Sequence, residues 1–192
     1  MIEQIGLADA IENLSELPVS LRSALARAVN NVVTSAYSLS VEKITSQVAL
    51  TPSYVKGRLY ISQRATTTDP LAVISGRVRS TQLRRYQGKR LYTQAKLPGK
   101  KRLAGVSVRV KAGGNTKVLK HAWLIKLKYG EADAKLGLTM GIAQRTGPNR
   151  NDFKILYGPS VDQVFRDVKD QIRPDVQSML ADEWMKQMKD GI

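Results

Sequence analysis

From Val19 to Thr51 the chain runs without a glycine or a proline, and this stretch constrains the fold more than any other. Within it Leu21, Leu25, Ala28, Val32, Ala36 and Leu39 recur at steps of three and four residues, and Ile44 and Val48 continue a neighbouring stripe. Such spacing gathers apolar side chains on one side of a helix. The pattern predicts a helix over residues 20–48, about 40 Å long at the usual rise. A chain of 192 residues must cover that stripe with a sheet, or with a copy of itself. Before it, Leu7, Ala10, Ile11 and Leu14 suggest a short amphipathic helix over 7–16, interrupted by Pro18. After it, Thr51-Pro52 has the form of an N-cap followed by proline at the first helical position. A short helix through Tyr54, Val55 and Leu59 follows, weakened by Gly57.

The middle of the chain changes period. Leu71 to Ile74 fits a strand buried on both faces. Val106, Val108 and Val110 alternate with Ser107, Arg109 and Lys111, the pattern of a half-exposed strand, and Gly113-Gly114-Asn115 reads as a turn. Alternation resumes in Trp123, Ile125, Leu127 and Tyr129, in Leu138, Met140 and Ile142, and in Phe153, Ile155 and Tyr157. Helical spacing returns with Val161, Val164, Phe165, Val168 and Ile172, behind a capping box formed by Ser160 and Gln163. Pro174 is expected to break this run, leaving a last helix with Val176, Met179, Leu180, Trp184 and Met188. The expectation is an α+β fold with a long N-terminal helix, a central antiparallel sheet of about four or five strands, and two C-terminal helices. It is read as a single domain over 1–192. Residues 1–59 form a helical part, 60–157 a β-rich part with a basic arm at about 77–104, and 158–192 the closing helices.

Charge is distributed unevenly. The net charge is +15, from 31 Lys and Arg against 16 Asp and Glu. No acidic residue lies between Asp69 and Glu131, while Arg77 to Lys128 holds 16 basic residues. The remainder, 15 basic and 16 acidic residues, is close to neutral. Residues 82–102 lack a clear period and carry Arg84, Arg85, Lys89, Arg90, Lys96, Lys100, Lys101 and Arg102, so they read as a long exposed loop or β-arm. Arg84, Arg85, Arg90, Lys100, Lys101 and Arg102 are the candidate contact residues, by charge density. A block of one sign repels itself unless it meets a polyanion or an acidic protein surface. Tyr86 and Tyr92, interleaved with the arginines, could stack on bases.

Catalytic signatures are missing. The absence of cysteine excludes disulfides, thiolate catalysis and Cys-based metal sites. Gly88-Lys89 and Gly99-Lys100 lack the upstream glycine of a P-loop, with Leu83 and Gln94 in its place. Gly105-Val-Ser-Val-Arg109 fails the nucleophile-elbow pattern at its last position. His121, the single histidine, falls on an expected strand without that motif, and Glu131 and Asp133 follow Gly130 in a turn-like segment. An enzyme, a cofactor, a metal and a small-molecule substrate are not expected. Residues 1–17 carry Glu3, Asp9, Glu12 and Glu16 with no basic leader region, and no window of about 20 residues is uniformly apolar, so neither secretion nor a membrane span is expected.

One local pattern supplies an alternative reading. Ile44-Thr-Ser-Gln-Val-Ala-Leu-Thr-Pro-Ser-Tyr-Val55 resembles the turn and recognition-helix start of helix-turn-helix regulators, which would make residues 44–59 a DNA-binding element. Ala49 occupies the turn position commonly held by glycine, Arg58 sits where an apolar residue is expected, and Gly57 lies inside the would-be recognition helix.

Nearly the whole chain resembles the minor tail protein Z family of long-tailed, lambda-like bacteriophages and prophages. The resemblance is carried by the small residues Ala24, Ala26, Ala28, Ser35 and Ala36 of the opening helix, and by Gln63-Arg-Ala-Thr66. It continues in Gly105-Val-Ser-Val-Arg-Val110, Ala122-Trp123, Gly141-Ile-Ala-Gln-Arg-Thr-Gly147 and Ile155-Leu-Tyr-Gly-Pro-Ser160. It implies a virion structural protein of tail completion at the head-proximal end of the tail, assembled in the host cytoplasm. Its implied partners are copies of itself in a ring, a hexamer matched to the sixfold tail, other tail and neck proteins, and phage DNA without sequence preference. A basic arm would then point inward to DNA or outward to acidic neighbours.

Overall fold

A computed structural model describes residues 18–94, 101–127 and 140–190. Helix α1 spans Val19–Gln47, 29 residues, close to the expected bounds. Its buried residues are mostly small: Ala24, Ala26, Ala28, Val32, Val33, Ala36 and Ser40, with Val41 and Ile44 near the end. Leu21, Leu25 and Leu39, expected on the buried stripe, are only half covered. Small side chains let another helix approach closely, and one does. Helix α3, Val161–Asp190, runs antiparallel along α1. Arg27 Nε donates to Gln187 Oε1 at 2.9 Å and Asn31 Nδ2 to Glu183 Oε1 at 2.7 Å, so advancing along one helix means retreating along the other.

The C-terminal part differs from expectation: one continuous helix of 30 residues includes Pro174. A proline inside a helix removes one backbone donor, at a cost of about 3 kcal/mol when nothing compensates. Here α1 lies against α3 on both sides of the proline, and that packing holds the run together. The inward stripe keeps its four-residue step across the proline, from the buried Val164, Val168 and Ile172 to the half-covered Val176, Leu180 and Trp184. The expected capping box does form. Gln163 N donates to Ser160 Oγ at 3.0 Å and Ser160 N to Gln163 Oε1 at 2.9 Å, satisfying two backbone donors at the start of α3. Helix α2, Pro52–Lys56, has Thr51 as its N-cap.

Between the long helices, the described strands pair antiparallel in four small sheets instead of one. Strands β1 (Leu59–Gln63) and β2 (Val73–Gly76) form a ribbon beside α1 and α3. Leu71, expected inside a buried strand, is exposed, and Val73 and Ile74 are half-buried, because a two-stranded ribbon on a helix pair covers one face only. Asn30 of α1 clamps the chain after β1, its amide donating to Ala65 O at 2.8 Å and accepting from Ala65 N at 3.0 Å. Strand β3 (Thr81–Gln82) leads into a single 3₁₀ turn, Leu83–Tyr86. Strands β4 (Gln87–Gln94), β5 (Lys101–Val108) and β6 (Lys117–Lys120) make a second layer. Strands β7 (Ala122–Lys126), β8 (Met140–Arg145) and β9 (Phe153–Ile155) make a third, and β10 (Tyr157–Gly158) pairs with β3. The segment over 7–16, Tyr129 and Leu138 lie outside the described residues.

One apolar cluster ties these layers together: Val41, Ile44 and Val48 of and after α1, Val55, Leu59, Leu83, Tyr86, Val106, Val108, Ala122, Ile142 and the first half of α3. The core therefore sits at one end of the helix pair, where α1 finishes and α3 begins. Gly105 at the crossing of β5 and β6 has φ +148°, and a Cβ there would collide with the Leu119 carbonyl oxygen. No backbone atom can yield that far, so Gly105→Ala is expected to cost more than about 2 kcal/mol. Gly113, in the expected turn, has nothing within 4 Å of its would-be Cβ, and Gly113→Ala is expected to be neutral within about 0.5 kcal/mol. Denaturant unfolding of the two variants checks the contrast.

Candidate functional site

Between the two readings of residues 82–102, the structure has the β-arm. Strand β4 pairs with β5 from Gln87 opposite Val108 out to Gln94 opposite Lys101, a ribbon about 25 Å long. Strand β6 covers only the inner half of β5, from Gly105 to Val108, so the outer half of the ribbon is two-stranded. A register shift near the root is fixed by Ser107, whose Oγ accepts from Lys89 N at 2.7 Å and donates to Lys89 O at 3.1 Å. Ser107 is buried, although alternation placed it outward, because its hydroxyl serves this bulge.

Of the six candidate contact residues, the five described are divided between the ribbon and the 3₁₀ turn. Lys101 and Arg102 lie on the outer ribbon and Arg90 near its middle, opposite Val106. Arg84 and Arg85 sit on the 3₁₀ turn beneath the root, not on the arm. Lys100 lies outside the described residues. Arg85 places its guanidinium 5.0 Å from the centre of the Tyr54 ring, and Arg58 lies 5.6 Å from the same ring. Other exposed cations surround them: Lys89, Arg109, Lys111, Lys117 and Lys120. Among the described residues the two ion pairs both lie within α3, Arg166 with Asp162 and Arg173 with Asp170. The cations of β4 and β6 named here, Lys89, Arg90, Lys117 and Lys120, make no ion pair among the described residues. Composition hinted at Arg58 and Arg109 only weakly, because Tyr54 and the 3₁₀ turn bring them near Arg85 through the fold.

The root is held by a contact that sequence reasoning missed. Tyr86, expected to be free for stacking on bases, is 3% exposed and belongs to the core. Its ring lies against Gly158, where a Cβ would come within 2.7 Å of Tyr86 Cε2, and its hydroxyl donates to Pro159 O at 3.5 Å. Burial pushes the Tyr86 hydroxyl from 10.0 up to about 12, against a hydrogen bond with Thr81 that works the other way. The Ile155–Ser160 segment thus seats the arm's root through Gly158 and Pro159 and caps α3 through Ser160. A second junction forms at Trp123, whose ring meets Phe153 edge-on at 5.8 Å and carries Arg145 over its face at 5.2 Å. Arg145 in turn donates to Asn149 O at 2.6 Å and Arg150 O at 3.0 Å, closing the turn after β8.

Two expectations are corrected. The helix-turn-helix alternative fails on length: α2 has five residues, about 7.5 Å of helix, with Val55 fully buried and Leu59 already in β1. Residues 44–59 therefore offer no recognition helix to enter a major groove. His121 is not on a strand. It is an exposed turn residue with φ 57° joining β6 to β7. Glu131 and Asp133 lie outside the described residues. Among the described residues no group of three or more His, Asp or Glu is placed to hold a metal, and no helix is long and apolar enough to cross a membrane.

A family model described as Prophage minor tail protein Z matches residues 5–192. The chain belongs to this family. It is a structural protein of a phage tail. No curated protein matches the chain, and no solved structure matches it. In this minor tail protein the segments that carried the resemblance are structural joints: the Ala65 clamp, the Gly105 crossing, the Trp123 junction and the Tyr86–Gly158 seat.

The raised Tyr86 hydroxyl has a consequence for stability. An unfolded chain ionises this phenol near pH 10 while the folded one keeps its proton to about 12. Its stabilisation is therefore complete below pH 10 and is lost as pH rises from 10 to 12, by up to about 1.4 kcal/mol per unit. Tyr86→Phe is expected to flatten the fall of the unfolding midpoint across that window. Parallel falls in the two proteins would show that the hydroxyl is not desolvated.

Proposed function

We propose that this tail protein completes the tail at its head-proximal end. Copies assemble into a ring, six by the symmetry of the tail, and contact neighbouring tail and neck proteins. The ring joins tail to filled head while its basic arms approach the DNA path. One observation supports this reading: Lys89, Arg90, Lys117 and Lys120 are exposed on the strands and make no ion pair among the described residues, while both described ion pairs lie within α3. A body whose charges balance elsewhere leaves this end to seek external negative charge. Phosphate contact of this kind positions a protein on DNA without reading sequence, which suits a channel through which any sequence must pass.

The arm test uses Arg90→Gln, Lys100→Gln, Lys101→Gln and Arg102→Gln together, leaving the buried root intact. The variant is expected to fold with an unchanged unfolding midpoint, yet to join purified tails to filled heads at least roughly tenfold less well, through lost phosphate contacts. Infectious particles formed at the normal rate would overturn the arm's role.

A further inference from the structure

Beside the helix pair runs an apolar groove of about 360 Å³. Val29, Val33 and Ala36 of α1 line one wall, Phe165 and Val176 of α3 the other, and Ile74 of β2 closes one side. Its lining is mostly hydrocarbon, and covering such a surface is favourable. We propose that the groove seats the chain's own segment ahead of α1, residues 7–16.

A track leads there from the start of α1. Leu21, Leu25 and Val29 are half-covered and follow one another at four-residue steps into Val32, Val33 and Ala36. Pro18, with φ −51° and ψ 145°, is extended, so the chain enters α1 from off its axis and can double back over this track. The lengths agree. Val29 lies about 15 Å along α1 from Val19, and Ala36 about 10 Å further. Residues 15–18, extended, cover up to about 13 Å, and a helix from Leu14 back to Leu7 adds about 10 Å. At helical spacing Leu7, Ala10, Ile11 and Leu14 share one face, and Asp9, Glu12 and Glu16 fall on the opposite one. The apolar face fills the groove and leaves the acids at its mouth. There Lys169 is exposed on the α3 rim, beside Arg173, which is paired with Asp170. Arg22, one turn into α1, has its Nε buried, and among the described residues that N–H finds no acceptor. A buried guanidinium N–H calls for one, and Glu16, across Pro18, is the nearest acid in sequence. A tether this short holds the segment at high local concentration, which favours it over any separate molecule.

The chain has no cysteine, so a pair can be introduced without background. In the full chain, Ile11→Cys with Val29→Cys is expected to close a disulfide within one molecule. It should form at least roughly tenfold faster than Ile11→Cys with Thr34→Cys, on the exposed side of α1, because Cα atoms more than about 7 Å apart are not bridged. If Val29→Cys itself lowers the unfolding midpoint, the exposed Gln177→Cys on the opposite wall takes its place. Leu7→Ser, Ile11→Ser and Leu14→Ser together are expected to lower the thermal midpoint of the full chain by several degrees. Equal rates for the two cysteine pairs, or an unchanged midpoint in the triple variant, overturns the assignment. A disulfide that joins two molecules puts a neighbouring copy's segment in the groove, and overturns the seat within one chain.

Discussion

The antiparallel contact between α1 and α3 is the constraint on which the rest of the molecule depends. Neither helix could bury its own stripe. Ala24, Ala28, Val32 and Ala36 are too small to form a core alone, but they let the partner helix lie close. That closeness keeps α3 helical past Pro174, and the hydrogen bonds Arg27–Gln187 and Asn31–Glu183 set the two helices in register. Asn31, and then Gln187, hydrogen-bond the Glu183 carboxylate and hold its pKa below the ordinary value. With the helices fixed, the larger apolar side chains at one end, Ile44, Val55, Leu59, Ile142 and Val168, can close over the strands.

Small sheets suit this plan. A single broad sheet would have to lie against the whole length of the pair. Instead, short ribbons are joined to the helices and to one another by single contacts. Asn30 clamps Ala65, Ala49 N donates to Val110 O at 2.8 Å, and Tyr86 sits on Gly158. Each joint needs a particular residue, usually a small one, at a particular place. The family resemblance rested on such places, although none of them carries chemistry.

Local signals were legible in the sequence. Thr51-Pro52 and Ser160/Gln163 marked helix starts because a cap is a transaction between near neighbours, and the period of α1 gave its ends to within a residue or two. Signals that needed a distant partner were not. Pro174 reads as a break until α1 is known to lie beside it. Tyr86 looks like a stacking residue in a basic run until Gly158, 72 positions on, is seen to accept its ring. Ser107 obeys alternation until the bulge claims its hydroxyl. The charge block was legible as a quantity, but not as a geometry: Arg84 and Arg85 share it with Lys101 and Arg102 in sequence, while the fold separates root from ribbon.

Because the core and the cations gather where α1 ends and α3 begins, the molecule has two unlike poles. Its far end, around Arg22, Arg27, Asp182, Glu183, Lys186 and Lys189, mixes both signs. Among the described residues the two ends of the helix pair therefore differ in charge. A polyanion that met such a body would be drawn to the strand end before the mixed one.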